Sequence, residues 1–274
     1  MSDQGNVSRR FVPPLRGQVH PACFDHPLLA PFACWDDLIR APHWPGMAAL
    51  NAAAPVAGAC FVAQDTALLG DGLHYEQRIA AGRIATRAQN WHDFFNALVW
   101  ARYPAIKRAL NRRQCAAIAE VGNKTRNAAQ QALTQFDESG LVVRVRDPAL
   151  LAAWDAHHWQ TLFVDQAPAW QRGDIAVVAS FGHALLEQCL LPGRRLVGKA
   201  LVVVGEDDAA AIAHVAGAIA GARVLQAASE LRPLPLAGIA GWQAAQDAAF
   251  YRDADYFRPL REGRTYPSPL QVPG

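Results

Sequence analysis

The stretch that decides the fold reads Asn90-Trp91-His92-Asp93-Phe94-Phe95-Asn96-Ala97-Leu98-Val99-Trp100. Asn90 is a favourable N-cap, and the apolar residues that follow it recur at the i, i+3, i+4, i+7 and i+8 spacing of an amphipathic helix. His92 and Asn96 stand four residues apart, so their side chains share a face beside the apolar stripe. The stretch therefore predicts a helix that packs on a core and carries polar groups along its edge.

Outward from this helix, the sequence predicts further helices and short strands. Apolar runs predict strands at 60–63, 141–145 and 201–204, and a hairpin at 75–79 and 83–86. Helices are expected at 105–110, 112–121, 124–134, 174–191 and 207–221, with a turn at 137–140. The predicted fold class is α+β, predominantly helical, with a few short strands and an extended aromatic/Pro-rich C-terminal tail after Ser229.

Composition excludes several classes of protein. Of the 274 residues, 51% are hydrophobic and 18% charged, which excludes a disordered chain and allows a large core. We expect one domain over 1–274, with residues 1–20 poorly ordered. The uncharged run 41–64 contains Pro45 and Pro55, and Ala dominates its middle, so no membrane span is expected. Five widely spaced cysteines without a C-x-x-C pair indicate free thiols, and we expect a cytoplasmic protein.

Common catalytic signatures are missing from the sequence. It contains no G-x-x-x-x-G-K-[ST], H-E-x-x-H, G-x-G-x-x-G or G-x-S-x-G motif. The sequence therefore argues against Walker-type nucleotide binding, zincin chemistry, a standard dinucleotide site and an α/β-hydrolase elbow. Function has to be sought in individual polar residues within apolar segments.

Two other polar groups accompany His92 and Asp93. His183 and Glu187 stand at i, i+4 on a predicted helix, a spacing at which a histidine and a carboxylate share one metal ion or simply hydrogen-bond to each other. Asp137 and Glu138 are adjacent carboxylates that suit a hard cation, acid–base chemistry or an ordinary turn.

A basic stretch lies between Arg102 and Arg126. It contains Arg102, Lys107, Arg108, Arg112, Arg113, Lys124 and Arg126 against one acid, Glu120, although the whole chain carries only +2. Such a stretch suits a phosphate-binding or nucleic-acid surface, the anion-binding rim of an active site, or a solvated helix face.

An ordered series of residues resembles a bacterial family of unknown function, DUF3025. It comprises Tyr75-Glu76, Gly82-Arg83-Ile84, Thr86-Arg87, Asn90-Trp91-His92-Asp93, Asn96-Ala97-Leu98, Phe136-Asp137-Glu138, Gly182-His183-Ala184-Leu185-Leu186-Glu187 and Gly241-Trp242. The resemblance runs from about residue 30 to 262. It implies a single bacterial domain that retains these polar residues, and it implies no activity or cofactor.

The leading hypothesis is a hydrolase-type enzyme with a small-molecule or anionic substrate. Its catalytic residues and metal ligands would be His92, Asp93, His183 and Glu187, with Asp137 and Glu138 as further ligand candidates for Zn, Mn or Fe. Its substrate-binding residues would be Arg87, Asn96, Lys107, Asn111 and Arg126. Two alternatives remain: a non-enzymatic protein that binds nucleic acid or another polyanion through residues 102–126, and a structural domain in which these polar groups satisfy one another.

Overall fold

The computed structural model describes residues 11–122 and 126–273 of the chain. The α-helices are α1 (Asp36–Arg40), α2 (Met47–Ala53), α3 (Thr66–Leu69), α4 (Tyr75–Ala80), α5 (Trp91–Arg102), α6 (Pro104–Val121), α7 (Ala128–Ser139), α8 (Leu151–Asp155), α9 (Ala167–Gln171), α10 (His183–Gln188) and α11 (Asp208–Ala220). The strands are β1 (Cys60–Ala63), β2 (Arg83–Thr86), β3 (Gly140–Val145), β4 (Ile175–Ser180), β5 (Val197–Val204), β6 (Arg232–Pro235) and β7 (Leu270–Gln271). Short 3-10 turns connect several of them, and Thr161–Asp165 is a single π-helical turn.

The strands form two sheets. The smaller sheet pairs β1 with β2 in parallel. In the larger sheet the order is β4-β3-β5-β6, and β7 also pairs with β5. β3 runs parallel to β5, whereas β4 and β6 are antiparallel to their neighbours. Every residue of β3 is buried, so this strand lies at the centre of the core.

Helices cover the larger sheet and build the part of the molecule that matters for function. α11 packs against β3 and α6, while α5 packs against α10. The apolar stripe predicted for α5 is buried, with Trp91, Phe95 and Leu98 each at most 2% exposed. The prediction of an α+β, predominantly helical fold is confirmed.

The long helix predicted at 174–191 is wrong. Residues 175–180 form strand β4, and the helix α10 begins only at His183. The reason is that the β-branched residues of this segment pair with β3, so tertiary pairing outweighs the apparent helical pattern. His183 therefore stands at the beginning of a helix and not in its middle.

The predicted hairpin is also wrong. Residues 75–80 form helix α4, because the His74 side chain accepts a hydrogen bond from Glu76 N and Gln77 Oε1 accepts one from His74 N. The strand that follows, β2, pairs in parallel with β1. In the same way, the turn predicted at 137–140 is instead the last turn of α7 and the first residue of β3.

Expectations were also stated for the two ends of the chain. Residues 1–10 lie outside the described residues, whereas residues 11–20 are described and include a 3-10 turn at Arg16–Gln18. The prediction of an extended C-terminal tail is not confirmed: after residue 229 the chain contributes β6 and β7 to the larger sheet and buries Tyr256 and Phe257. Among the described residues, no helix is long and apolar enough to cross a membrane.

Candidate functional site

Three helix ends meet at one place in the structure. His92 is the second residue of α5, Glu138 is the last but one of α7, and His183 is the first of α10. Each side chain therefore stands within one turn of a helix end, although His183 is itself buried. The three elements are brought together by the contacts of α10 with α5 and α7.

Gly182 allows this approach. Its N–H donates to Gly140 O at 2.8 Å, and the neighbouring Phe181 N–H donates to the same oxygen at 3.0 Å. A Cβ atom on Gly182 would overlap the backbone of Ser139 and would lie 2.6 Å from Gly140 N. The absence of a side chain at Gly182 therefore lets the start of α10 lie directly on the end of α7, which places His183 beside Glu138.

The three side chains direct one ligand atom each to a common point. His92 Nε2 and His183 Nε2 are 3.0 Å apart, and Glu138 Oε2 lies 3.8 Å from the first and 3.7 Å from the second. Ligand atoms of a tetrahedral zinc ion with bonds of 2.0–2.1 Å lie ~3.3 Å apart. Among the described residues, this is the one group of three or more histidine, cysteine or carboxylate side chains close enough to share a metal ion.

A carboxylate lies behind each histidine. Glu187 Oε2 is 3.5 Å from His92 Nδ1, and Asp137 Oδ2 is 4.0 Å from His183 Nδ1. His183 Nδ1 is buried and has no hydrogen-bond partner among the described residues, and the Asp137 carboxylate at 4.0 Å is too far away to accept from it directly. A carboxylate on the Nδ1 side of a histidine orients its ring when the imidazole binds a metal ion through Nε2, and Glu187 stands on that side of His92.

Lys107 joins this group through Asp137. The Lys107 side chain is only 4% exposed, and its Nζ donates to Asp137 Oδ1 at 2.7 Å. The ammonium also lies over the rings of Trp100 and Phe181, at 5.3 and 5.6 Å from their centroids. Lys107 was predicted to bind substrate, and the structure places it in contact with a carboxylate of the site.

Burial affects the two histidines differently. Burial, followed by the charges of Lys107 and His92, lowers the pKa of His183 well below its ordinary value. At His92 burial also acts to lower the pKa, but the contact with Glu187 and the charges of Glu138, Glu187 and Asp93 outweigh it, so the pKa of His92 is raised. Burial raises the pKa of Glu138. His183 is thus held as neutral imidazole, the form that binds metal ions.

The three side chains open onto a cleft of about 350 Å³. Four carboxylates line it, from Glu76, Asp93, Asp137 and Glu138, together with three cations, from Arg87, Lys107 and Arg126. Two of the cations are already paired, Arg87 with Asp93 and Lys107 with Asp137. That leaves two carboxyl groups, Glu76 and Glu138, against one arginine, Arg126, among these lining residues.

The remaining predicted site residues line the same cleft in different roles. Asp93 accepts hydrogen bonds from Arg87 N, Nε and Nη2 at 2.6, 3.0 and 2.7 Å, and it is not one of the three grouped ligands. Asn96 Nδ2 donates to the hydroxyl of Tyr75 at 3.0 Å. Asn111 Nδ2 donates to Glu76 Oε2 at 2.6 Å.

Tyr75 and Glu76 were not predicted as site residues. Both belong to the series that resembles DUF3025, but the segment was interpreted as a strand of a hairpin. The sequence feature that indicates a helix here is His74 with Gln77 three residues later, because this spacing suits a capped helix start. Burial raises the pKa of the Glu76 carboxyl, which lies next to Asn111 inside the cleft.

The basic stretch between Arg102 and Arg126 does not form one surface. Lys107 is buried in the site, Arg108 donates to Ala57 O, and Arg113 donates to Val224 O and Leu225 O. Lys124 lies outside the described residues. Three of its bases are solvent-exposed in the described part of the chain without such a backbone contact: Arg102, Arg112 and Arg126.

Comparison with known proteins identifies a family and nothing more specific. The sequence model of a family described as a protein of unknown function (DUF3025) matches residues 59–261. No curated protein and no solved structure matches the chain. The resemblance drawn from the sequence is confirmed over this range, and function must be argued from the geometry of the site.

Proposed function

The chain belongs to the DUF3025 family, whose activity is not established, and we propose from the geometry of the cleft that it is a metal-dependent hydrolase. Three side chains hold a divalent metal ion through His92 Nε2, His183 Nε2 and Glu138 Oε2. The observation that carries the proposal is the convergence of these atoms at 3.0, 3.7 and 3.8 Å. Two histidines and one carboxylate form the ligand set of several hydrolytic zinc enzymes, in which a water molecule takes the fourth position.

The surroundings of the three ligands support a metal ion over a purely structural cluster. The contacts within the cluster, apart from the pair of Nε2 atoms, are 3.5–4.0 Å long, which exceeds ordinary hydrogen-bond lengths. Glu187 and Asp137 stand on the Nδ1 sides of His92 and His183, at 3.5 and 4.0 Å. For His183, whose side chain is only 4% exposed, a structural cluster is expected to close such gaps, because unpaired burial costs about 1–3 kcal/mol per group.

A metal ion held by His92, His183 and Glu138 would lower the pKa of a bound water molecule and so supply hydroxide at neutral pH. In the hydrolysis we propose, the hydroxide of a water molecule bonds to the electrophilic carbon or phosphorus of the substrate. The bond to the leaving group breaks, and the proton of the water goes to that leaving group. Arg126, exposed at the cleft, is the side chain placed to attract an anionic part of the substrate.

The alternative function, binding of a polyanion through residues 102–126, needs its bases on one exposed face. Lys107 is buried against Asp137, and Arg113 donates to two backbone carbonyls, so these two are not free for a phosphate backbone. The metal proposal is therefore favoured. The polyanion-binding alternative would be supported if the protein bound duplex DNA with an affinity that falls steeply with salt and does not change when chelators are added.

Metal analysis of the purified protein tests the proposal. We expect about one equivalent of Zn, Mn or Fe in the wild-type protein after dialysis, and almost none in His92→Ala or Glu138→Gln. His158→Ala and Glu206→Gln serve as controls, because His158 is exposed and the Glu206 side chain is 79% exposed, both away from the cluster. Retention of metal by both cluster variants, or no uptake of any of the three ions by the wild type, would refute the site.

The reaction type needs a second measurement. Hydrolysis of p-nitrophenyl acetate and p-nitrophenyl phosphate is followed with the metal-loaded protein, the chelator-treated protein and His92→Ala. We expect metal-dependent release of p-nitrophenol that the His92→Ala variant lacks. Because the same ligand set also holds Fe(II) in oxygenases, oxygen consumption by the iron-loaded protein without hydrolysis would show that the site binds metal but that the hydrolase assignment is wrong.

A further inference from the structure

The same face of α5 that carries His92 also carries two buried polar groups without partners. Asn96 and Trp100 follow His92 at four-residue intervals and line the same cleft. Asn96 is 7% exposed and Trp100 is 2% exposed. Neither Asn96 Oδ1 nor Trp100 Nε1 has a hydrogen-bond partner among the described residues.

The distribution of such groups singles out this cleft. Seven buried side-chain polar atoms lack a partner in the described part of the chain, and three of them belong to Asn96, Trp100 and His183, which all line it. A carboxylate of Asp137 stands 4.0 Å from His183 Nδ1, whereas Asn96 Oδ1 and Trp100 Nε1 have no hydrogen-bond partner among the described residues. Each unpaired buried group costs about 1–3 kcal/mol unless something else satisfies it.

The chemical character of the two atoms defines what they would bind. The amide of Asn96 is oriented by its Nδ2–H, which donates to the Tyr75 hydroxyl, so that Oδ1 is left as an acceptor. The indole of Trp100 offers only a donor. Lys107, whose ammonium lies over the Trp100 ring, is engaged by Asp137 at 2.7 Å. An acceptor and a donor about one helical turn apart on α5, with this cation already paired, match an uncharged group that has both N–H and C=O.

We propose that Asn96 and Trp100 form a subsite for an amide group of the substrate, with Asn96 Oδ1 accepting its N–H and Trp100 Nε1–H donating to its C=O. This inference rests on the proposed function for the position of the reacting bond, which lies at His92. The rise of a helix, ~1.5 Å per residue, places Asn96 about 6 Å further along α5. The substrate is therefore a small molecule whose amide group stands a few bonds away from the bond that is hydrolysed.

The subsite is tested first without any metal. In chelator-treated protein with 15N-labelled tryptophan, the indole N–H resonance of Trp100 is assigned by its loss in Trp100→Phe. We expect this resonance to shift saturably with propionamide and not with propionate, while the other seven indole resonances stay in place. The shift should disappear in Asn96→Leu. No shift with propionamide, or an equal shift with propionate, would overturn the proposal whether or not the protein binds metal.

A second experiment tests whether one ligand can occupy the amide subsite and the metal site together. Metal-loaded protein is titrated with acetohydroxamate and with three longer hydroxamates of equal length that end in a carboxamide, an isopropyl group or a carboxylate. We expect the carboxamide to bind about tenfold more tightly than the isopropyl compound, an advantage that Trp100→Phe removes without weakening acetohydroxamate. Equal affinity of the longer compounds would overturn the subsite and leave the metal site intact. Failure of acetohydroxamate itself, with the propionamide shift retained, would refute the metal site and leave the subsite standing.

Discussion

Buried charges are handled differently in the larger sheet and in the cleft. In the sheet, Arg144 Nε meets Asp208 Oδ1 at 2.5 Å, and Arg232 meets both oxygens of Asp155 at 2.6 and 3.0 Å. In the cleft, by contrast, the contacts between histidines and carboxylates are 3.5–4.0 Å long. The sheet arginines therefore have charge partners within the chain, as Lys107 and Arg87 do in the cleft, whereas the two histidines stay at separations from Glu138 that suit a bound ion. Well-packed histidine and carboxylate groups that stay beyond hydrogen-bond distance of one another indicate a binding site.

The two regions are joined at Gly182, and the largest expected effect follows from changing it. In Gly182→Ala the new Cβ meets the backbone of Ser139 and Gly140, which cannot move without disturbing β3. We expect the free energy of unfolding, measured by urea denaturation of the metal-free protein, to fall by about 3 kcal/mol. Metal content should fall as well, because His183 is displaced from Glu138.

The control for this substitution is Gly217→Ala. Gly217 lies in the interior of α11, and a Cβ there has nothing within 4 Å, so the substitution should raise stability by about 0.5–1 kcal/mol. Wild-type stability and metal content in Gly182→Ala would show that α10 reaches Glu138 without the close contact. The link between the sheet and the cleft would then be absent.

The second largest expected effect concerns an ion pair of the larger sheet and compares it with the cleft. Asp155→Asn leaves the Arg232 guanidinium, whose side chain is 3% exposed, without a charged partner. We expect a loss of about 2 kcal/mol in the free energy of unfolding, less than for a fully buried pair because Asp155 is partly exposed. Metal affinity should not change.

Glu138→Gln is the counterpart of this change in the cleft. Because Glu138 makes no hydrogen bond to either histidine, its neutralisation should leave the stability of the metal-free protein almost unchanged while metal binding is lost. Chemical denaturation of both variants, with and without metal, gives the comparison. A stability loss in Glu138→Gln as large as that in Asp155→Asn would make the cleft a structural cluster like the sheet pairs.

Local spacing was enough to predict part of the site. The apolar stripe from Trp91 predicted α5, and the i, i+4 pair of His183 and Glu187 was correctly recognised as sharing a helix, although that helix begins much later than expected. The role of Glu138 was not equally predictable. It depends on the close contact of Gly182 with Ser139, which joins residues more than forty positions apart and leaves no local pattern.

The segments that were mispredicted share a physical cause. Residues 175–180 have an ambiguous apolar pattern, and their pairing with the buried β3 decides in favour of a strand. Residues 75–79 were assigned to a strand although His74 and Gln77 cap a helix there, and this error concealed Tyr75 and Glu76 on the wall of the cleft. Local sequence patterns were enough to identify the polar residues, whereas tertiary contacts determine which of them lie close together.

The smallest of the predicted effects concerns Glu187, which lies behind His92. Its side chain is 9% exposed, and Oε2 is 3.5 Å from His92 Nδ1, so it orients the ring and makes Nε2 a better electron donor. In Glu187→Gln the side chain keeps its size and an acceptor oxygen but loses its charge, and we expect the affinity for zinc, measured by competition with a chromogenic chelator, to fall about tenfold. Glu206→Gln, which removes an exposed carboxylate paired with Arg146, should leave the affinity unchanged. Equal zinc affinity in Glu187→Gln and the wild type would mean that the 3.5 Å contact does not orient His92, and Glu187 would then resemble the buried charges of the sheet, which serve the fold and not a ligand.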